Sequence, residues 1–301
     1  MSKVLVIIGP TAVGKTALSI KLAQEFNGEI ISGDSAQVYR DLNIGSAKIT
    51  EKQKQGIKHH LIDILDYNEN YSVYDFQKKA RELINKINNK GKLPIIVGGT
   101  GLYIKALLYD YQFPEKSQEY NNYQNQSNEE LWQLLRKKDA NAADKVHVNN
   151  RQRLITNLNL LDNISGTKTE LLAKQDQAIL YDALVIGLTI EREELHKRIN
   201  KRVDLMFEEG LLEEVKNLNK DSNFFNTLAS KAIGYKEFKE YFNQNQDISL
   251  IKEKIKTHTR QFAKRQYTYF NNQMSVNWFE INAKNCYSDI ELAITDFIKK
   301  K

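Results

Sequence analysis

An eight-residue loop behind the first apolar segment constrains this chain more than any other feature: Gly9-Pro10-Thr11-Ala12-Val13-Gly14-Lys15-Thr16. The loop follows the apolar run 4–8 and precedes the amphipathic stretch 17–26. The spacing G-x-x-x-x-G-K-T between a strand and a helix predicts a phosphate-binding P-loop. The backbone N–H groups of such a loop converge on one anion, its lysine adds positive charge, and the threonine hydroxyl can ligate Mg²⁺. The sequence therefore predicts a site for a di- or triphosphate.

Two later segments repeat the pattern of a short apolar strand followed by a polar loop. Residues 29–32 lead into Gly33-Asp34, and residues 93–97 lead into Gly98-Gly99-Thr100-Gly101. In an open parallel sheet, ligands bind outside the carboxyl ends of the strands, so we expect Asp34 on the same rim as the P-loop, one strand along. The alternative is that Asp34 is the N-cap of a helix in the segment that follows it. The predicted fold class is α/β, with a P-loop NTPase-like parallel sheet core.

The middle of the chain has a different character. From about 112 to 181 no strand pattern is present until an apolar strand returns at 182–189. Helices are predicted at 17–26, 73–89, 129–136, 150–161, 193–207, 211–218, 233–242 and 249–269. We therefore predict a core made of 1–111 and 182–301, with a helical C-terminal part, interrupted by a mostly helical insertion domain at 112–181.

Composition excludes several classes of protein. The single cysteine, Cys286, excludes an intrachain disulfide framework and a cysteine-rich zinc site, and it suits a reducing cytosol. No apolar run approaches the ~20 residues of a membrane span, and the chain enters a strand at once, so neither a membrane segment nor a signal peptide is expected. We expect a cytoplasmic monomer.

A row of basic residues marks the predicted helix 249–269. Lys252, Lys256, Arg260 and Lys264 recur every fourth residue, so they lie along one helix face. Like charges at this spacing destabilise an isolated helix, and the row therefore implies a compensating anion. The phosphates of a nucleic acid or of a small substrate would both serve. The alternative is a solvated helix face.

Seven segments spread over the chain resemble one known family. They are GPTAVGKT (9–16), SGDSAQVYRDLNIGSAKIT (32–50), HHLIDILD (59–66), YSVYDFQKKA (71–80), LPIIVGGTGLYIKALLY (93–109), KAIGYKEF (231–238) and THTRQFAKRQYTYF (257–270). In this order they are similar to the tRNA dimethylallyltransferases, the tRNA adenosine isopentenyltransferase family. The resemblance implies transfer of a dimethylallyl group from dimethylallyl diphosphate to the exocyclic amine of adenosine 37 in the anticodon stem-loop of tRNA. Pyrophosphate would leave, with Mg²⁺ as cofactor.

The same resemblance implies roles for individual residues. Asp34 would be the general base, acting with the catalytic Lys15 and Thr16, and Thr16 would also ligate the metal. The donor diphosphate would be held by Gly9, Pro10, Thr11, Ala12, Val13, Gly14, Lys15, Thr16, Lys231 and Arg260. The tRNA would be contacted by Asp34, Ser35, Ala36, Gln37, Thr100, Gln152, Arg153, Leu154, Ile155, Thr156, Lys256, Lys264 and Arg265.

Two departures from the family pattern stand out. Lys231 and Lys236 occupy positions where other members often have arginines, and a lysine cannot make a bidentate contact. The helix around Arg153 has Thr156 where the family has a second arginine. Three alternatives remain open from the sequence: an adenylate isopentenyltransferase, a P-loop small-molecule kinase, and a tRNA- or nucleotide-binding switch without enzymatic activity.

Overall fold

The protein is described from a computed structural model, which covers residues 2–111, 123, 125–163, 166–167, 169–170, 178–220, 222–244 and 247–300. The chain divides into two compact units. The first consists of Met1–Leu108 and Ile179–Lys301, and the second of Tyr109–Ala178. The predicted insertion, 112–181, covers most of the second unit, although its residues 112–122 and 171–177 lie outside the described part of the chain.

A parallel sheet forms the centre of the first unit. Its described strands are β1 Lys3–Ile8, β2 Gly28–Ser32, β3 His59–His60, β4 Leu93–Val97, β5 Asp182–Thr189 and β6 Asn277–Glu280. They lie in the order β3-β2-β4-β1-β5-β6, and every neighbouring pair is parallel. The α/β fold class is confirmed. Strand β4 separates β1 from β2, however, so Asp34 lies two strands from the P-loop and not one.

The strands beside the P-loop are apolar because helices cover both faces of a parallel sheet. In β1, five consecutive residues, Val4, Leu5, Val6, Ile7 and Ile8, have no exposed surface. The described helices of the first unit are α1 Lys15–Glu25, α2 Glu51–Lys54, α3 Val73–Asn88, α4 Gly101–Leu108, α8 Arg192–Glu208, α9 Leu211–Leu218, α10 Phe238–Gln244, α11 Ile248–Gln273 and α12 Cys286–Lys299. None of the described helices is both long and apolar enough to cross a bilayer.

One predicted helix is shorter than the sequence pattern indicated. The apolar pattern predicted 233–242, whereas α10 begins at Phe238. Gly234 adopts a left-handed backbone conformation, with φ of 96°, which ends any helical path through this point. The Glu237 carboxylate then accepts the Gly234 N–H at 2.9 Å and stabilises a turn in place of the first helical turns.

A buried carboxylate ties β2 to its neighbours. Glu29 has a side chain that is 3% exposed; it is hydrogen-bonded to His60 at 2.7 Å and forms an ion pair with Lys92 at 3.1 Å. Burial by itself would raise the pKa of Glu29, but the hydrogen bonds from His60 and Lys92 outweigh it and lower the pKa from 4.5 to about 2. Glu29 therefore acts as an internal counter-ion that joins β2, β3 and the segment before β4.

Helix α11 crosses the carboxyl ends of three strands. The Gln266 side chain reaches the loops that follow β1 and β4, and the Tyr267 hydroxyl accepts the Ile190 N–H beyond β5 at 3.3 Å. The contact with the β4 loop is close enough to require glycine, since a Cβ on Gly101 would lie 2.2 Å from the Tyr269 ring. A basic helix is thus fixed against the edge of the sheet where ligands are expected.

The second unit is helical and has its own apolar core. Its described helices are α5 Asn128–Lys138, α6 Ala140–Ala143 and α7 Arg151–Leu161. Helix α5 begins with a capping box, in which Ser127 and Glu130 each accept the other's backbone N–H. Leu131, Leu135, Leu154 and Leu158 are fully buried against one another.

Candidate active site

The P-loop connects β1 to α1 with the geometry that the glycines permit. Gly9 has φ of 145°, and a Cβ on it would lie 2.7 Å from the Leu188 carbonyl oxygen. Gly14, at φ of 107°, allows the chain to turn into α1. The Lys15 ammonium curls back and donates to the carbonyl oxygens of Gly9 at 2.9 Å and Pro10 at 2.8 Å. The lysine therefore lies over the concave face of its own loop.

The Lys15 ammonium is in an unfavourable electrostatic environment. Burial, reinforced by the positive charge of Arg202, lowers the pKa of Lys15 from 10.5 to about 7, while the Asp34 carboxylate acts in the opposite direction. A dianionic or trianionic group placed beside Lys15 would remove most of this penalty. The pKa shift thus indicates a site that is organised for an anion.

Arg202 of α8 is a site residue that the sequence reasoning missed. Its Nη1 atom donates to the Thr11 hydroxyl at 3.3 Å, and burial lowers the pKa of its guanidinium, opposed by the charge of Asp34. The sequence did contain a signal. Arg202 interrupts the buried stripe Leu195, Ile199, Val203 and Met206, so it faces inward with them. A guanidinium in the apolar stripe of a helix needs a polar site opposite it.

Asp34 begins a turn directly after β2. Its Oδ1 atom accepts the backbone N–H groups of Ala36 at 2.8 Å and Gln37 at 3.3 Å. No helix follows Asp34, so the helix-capping alternative is wrong; the carboxylate instead stabilises a turn, which is compatible with a chemical role. Because both hydrogen bonds use Oδ1, the carboxylate is held in one orientation and Oδ2 can accept a proton from a substrate.

The loops after β1, β2 and β4 line two adjoining cavities. Both cavities are lined by Thr11, Asp34, Ser46, Thr100, Arg202 and Phe262. The first continues past Lys15, Thr16 and Gln37 to the P-loop. The second continues past Ser35, Ala36, Lys231, Lys236 and Arg265. The structure therefore brings the P-loop, the Asp34–Gln37 turn, Thr100, Lys231 and Arg265 to one cleft.

A carboxylate on α9 shapes one wall of this cleft. Glu214 accepts the backbone N–H groups of Asn43 at 3.1 Å, Ile44 at 2.8 Å and Gly45 at 3.1 Å, and it also accepts the Tyr235 hydroxyl at 2.8 Å. The Tyr235 oxygen in turn accepts the Ser46 N–H at 3.2 Å. The loop that carries Ser46 into both cavities is thus held by side chains far away in sequence.

The basic row on α11 is neutralised in part within the chain. Asp204 of α8 forms ion pairs with Lys252 at 2.8 Å and Lys256 at 2.9 Å, and their hydrogen bonds lower the pKa of Asp204. Arg260 donates to the Asn200 side chain at 2.6 Å. For Lys252 and Lys256 the compensating anion is therefore a protein carboxylate. Neither Lys256, Arg260 nor Lys264 lines the two described cavities, and their substrate contacts stay predictions.

The predicted tRNA contacts of the second unit lie on α7. Gln152, Arg153 and Thr156 are exposed, and Ile155 is half-buried. Leu154, in contrast, has no exposed surface and packs in the core of this unit. Its side chain is a core residue and not a tRNA contact, whereas the other four positions stay predictions.

The residues of the cleft suit a metal that is shared with a substrate. In the part of the chain that the structure describes, no group of three or more His, Cys, Asp or Glu side chains could hold a metal ion by itself. Mg²⁺ commonly binds through one or two protein oxygens, several waters and the phosphates of a substrate. Thr16, exposed at the start of α1 and lining the first cavity, fits this pattern.

Comparison with known proteins identifies the family. The profile of a family described as IPP transferase matches residues 37–273. A tRNA dimethylallyltransferase of Enterococcus faecalis is 50% identical over 290 residues, which are 93% of this chain and 92% of that protein. The crystal structure of a tRNA delta(2)-isopentenylpyrophosphate transferase from Staphylococcus epidermidis is 39% identical, with a TM-score of 0.74 and complete coverage of both chains. That of a eukaryotic dimethylallyltransferase acting on tRNA has a TM-score of 0.88 at 30% identity, covering 100% of this chain and 80% of that one. Since the profile spans most of the chain and these relatives align with nearly all of it, the chain belongs to the IPP transferase family, the family of the tRNA dimethylallyltransferases.

Proposed function

We propose that this protein transfers a dimethylallyl group from dimethylallyl diphosphate to the exocyclic amine of adenosine 37 in tRNA and releases pyrophosphate. The observation that carries the proposal is the cleft, in which an anion site and a carboxylate face the same space. Lys15 and Arg202 lie on the anion side, and Asp34 borders both cavities. Membership of the family supplies the identity of the two substrates.

The anion side of the cleft would bind the donor and stabilise the leaving group. As the carbon–oxygen bond of the donor lengthens, negative charge develops on the diphosphate oxygen. Lys15 lies over the loop that would hold this diphosphate, and Arg202 is anchored to the same loop through the Thr11 hydroxyl. Fixed positive charge in a partly water-excluded site stabilises such developing charge without reorganisation. Lys231, from the second cavity, would add charge as a point contact.

The carboxylate side would prepare the acceptor. An exocyclic adenine amine is a weak nucleophile, so a base should remove its proton as the new carbon–nitrogen bond forms. Asp34 Oδ2 can take this proton, because the two backbone N–H bonds to Oδ1 fix the carboxylate at the cleft. The target base must leave its stack to enter the cleft, and the Asp34–Gln37 turn and Thr100 would contact it there.

Mg²⁺ is part of the proposal. The Thr16 hydroxyl would hold it together with the donor phosphates, and the ion would neutralise charge on the leaving pyrophosphate. We also propose that the protein acts as a cytoplasmic monomer.

A transfer assay tests the proposal directly. Radiolabelled dimethylallyl diphosphate and Mg²⁺ are supplied with unmodified tRNA, with tRNA carrying guanosine at position 37, or with free AMP. We expect label in the unmodified tRNA alone. Label in AMP would instead identify an adenylate isopentenyltransferase, and hydrolysis of ATP without prenyl transfer would identify a kinase-like activity.

The role of Asp34 has its own test. Asp34→Asn keeps an oxygen that can accept the Ala36 and Gln37 N–H groups, but the amide cannot take a proton. We expect prenyl transfer to fall by about 100-fold or more while tRNA affinity changes little. Full activity in this variant would remove Asp34 from the mechanism.

A further inference from the structure

A buried glutamine joins the loop after β1 to the loop after β4. The Gln266 side chain lies on α11 and the residue is 5% exposed. Its Oε1 atom accepts the backbone N–H of Thr11 in the P-loop at 2.9 Å. Its Nε2 atom donates to the backbone carbonyl of Gly99 at 3.0 Å. A single amide group therefore holds both loops.

The geometry leaves little freedom at this bridge. A Cβ on Gly99 would lie 2.0 Å from Gln266 Nε2, so only glycine allows the amide to approach this closely. Both loops contact Gln266 through main-chain atoms: Thr11 presents an N–H donor and Gly99 presents a carbonyl acceptor. Among side chains of this length, only glutamine offers an acceptor and a donor on the same terminal group without a charge.

The bridge connects the two halves of the proposed reaction. Thr11 belongs to the loop that would hold the donor diphosphate, and Gly99 precedes Thr100, which would face the target base. The N–H of Thr11 is directed at Gln266, while its hydroxyl accepts from Arg202. Thr11 is therefore held from two sides, by α11 and by α8. Since β1 and β4 are paired, the sheet sets the separation of the strand ends, and the Gln266 amide adds a direct link between the loops beyond those ends.

We propose that Gln266 is a positioning residue that fixes the distance between the donor-binding loop and the acceptor-binding loop. The proposal rests on the proposed prenyl transfer for its catalytic consequence. Two reactants held in line react faster because the cost of orienting them is met on binding, and a misplacement of about 1 Å can reduce the rate about 100-fold. Loss of the bridge should therefore lower kcat more than it weakens the binding of either substrate.

The test uses three variants of the full-length protein. Gln266→Met keeps the length and apolar bulk of the side chain but makes neither hydrogen bond. Gln266→Glu keeps the acceptor for Thr11 and loses the donor to Gly99 when ionised. Gln261→Ala is the matched control, because Gln261 is an exposed glutamine on the same helix. Thermal unfolding establishes that each variant is folded.

The first readout is independent of activity. Hydrogen exchange followed by mass spectrometry reports on peptides covering 9–16 and 98–101. We expect faster exchange of the 9–16 peptide in Gln266→Met than in the wild type and in Gln261→Ala, because the Thr11 N–H loses its acceptor. Unchanged exchange in this peptide would overturn the proposal, whatever the protein catalyses.

The second readout is the kinetics of transfer to tRNA. We expect kcat to fall about 10- to 100-fold in Gln266→Met, and less in Gln266→Glu, with tRNA affinity within about twofold of the wild type. A kcat for Gln266→Met within about twofold of the wild type would contradict a positioning role. So would a fall in kcat that is accompanied by comparable losses of tRNA affinity and thermal stability. Failure of the wild type to transfer the prenyl group would refute the proposed function and leave the exchange result to decide the role of Gln266.

Discussion

The lowered pKa of Lys15 makes donor affinity depend on pH in a defined direction. The pKa of Lys15 is about 7 in the free protein, since burial and Arg202 disfavour its charged form. The donor diphosphate favours the charged form, so donor binding should raise this pKa and take up a proton. Raising the pH above 7 removes the ammonium from the free protein and should weaken donor binding.

The size of the effect follows from the titration of one group. With a pKa of about 7, Lys15 is about half protonated at pH 7, and only about one molecule in a hundred carries the charge at pH 9. If the donor binds only the form with Lys15 protonated, the Kd of the donor rises roughly 50-fold from pH 7 to pH 9, which is a loss of about 2 kcal/mol in binding free energy. At pH 8 the binding of one donor should be accompanied by uptake of about 0.9 proton.

Isothermal titration calorimetry can measure both quantities. The donor and Mg²⁺ are titrated without tRNA at pH 7, 8 and 9, in buffers that differ in ionisation enthalpy, so that the number of protons taken up is obtained directly. Lys15→Arg is the control, because its guanidinium stays charged over this range and leaves only the protonation changes of the donor and the metal. A wild-type Kd that is constant from pH 7 to 9, or one that changes as little as that of Lys15→Arg, would refute the reasoning.

Three further predictions use other charges of the first unit. Arg202→Gln should weaken donor binding about tenfold or more. Because it also removes a charge that repels the Lys15 ammonium, the pH at which donor affinity falls should rise, and an unchanged pH profile would argue against this repulsion. Arg265→Gln should reduce the steepness with which log K for tRNA binding falls with log salt concentration by about one unit of slope. Lys252→Gln removes a charge that is already paired with a carboxylate and should leave this slope unchanged. Equal slopes in the two variants would contradict a phosphate contact at Arg265. The pKa of Glu29 is about 2 in the folded protein against 4.5 for an unperturbed glutamate, so its charge stabilises the fold above pH 4.5 and this stabilisation is lost as the pH falls towards 2. In urea unfolding, Glu29→Gln should remove this part of the loss of stability at acid pH, and an unchanged dependence on pH would contradict the prediction.

Local patterns in the sequence predicted most of the framework. The strands at 4–8, 29–32, 93–97 and 182–189 are confirmed to within a residue or two, because each is a short apolar run between turn signals. Strand β6 was missed, since Asn277–Glu280 is an edge strand whose four residues are half-buried or exposed and carries no apolar run. Helix α12 at Cys286–Lys299 was not predicted either, although Ile290, Ile294 and Phe297 form its buried stripe.

The sequence identified the motifs of the candidate site more completely than the side chains that contact them. A P-loop can be recognised in a sequence because its anion site is made by consecutive residues. Arg202, Asp204 and Gln266 contact residues that are distant in sequence. The helical pattern could have shown that Arg202 faces inward, but no local pattern identifies the partners of these three residues. The basic row on α11 illustrates the difference, because its spacing indicated correctly that an anion is needed but could not show that Asp204 supplies it for two of the four residues.

The electrostatic environment of Lys15 would contribute to the proposed transfer. Burial makes the charged form of Lys15 less favourable, the charge of Arg202 adds to this penalty, and Asp34 offsets it only in part. A bound diphosphate would relieve this penalty, and it would relieve more of it as charge accumulates on the leaving oxygen. An interaction that strengthens between the bound donor and the transition state raises kcat, whereas one of constant strength would only lower KM. The lowered pKa of Lys15 therefore reflects a charge that burial leaves poorly compensated in the free protein, and the diphosphate of the proposed donor would supply the compensation.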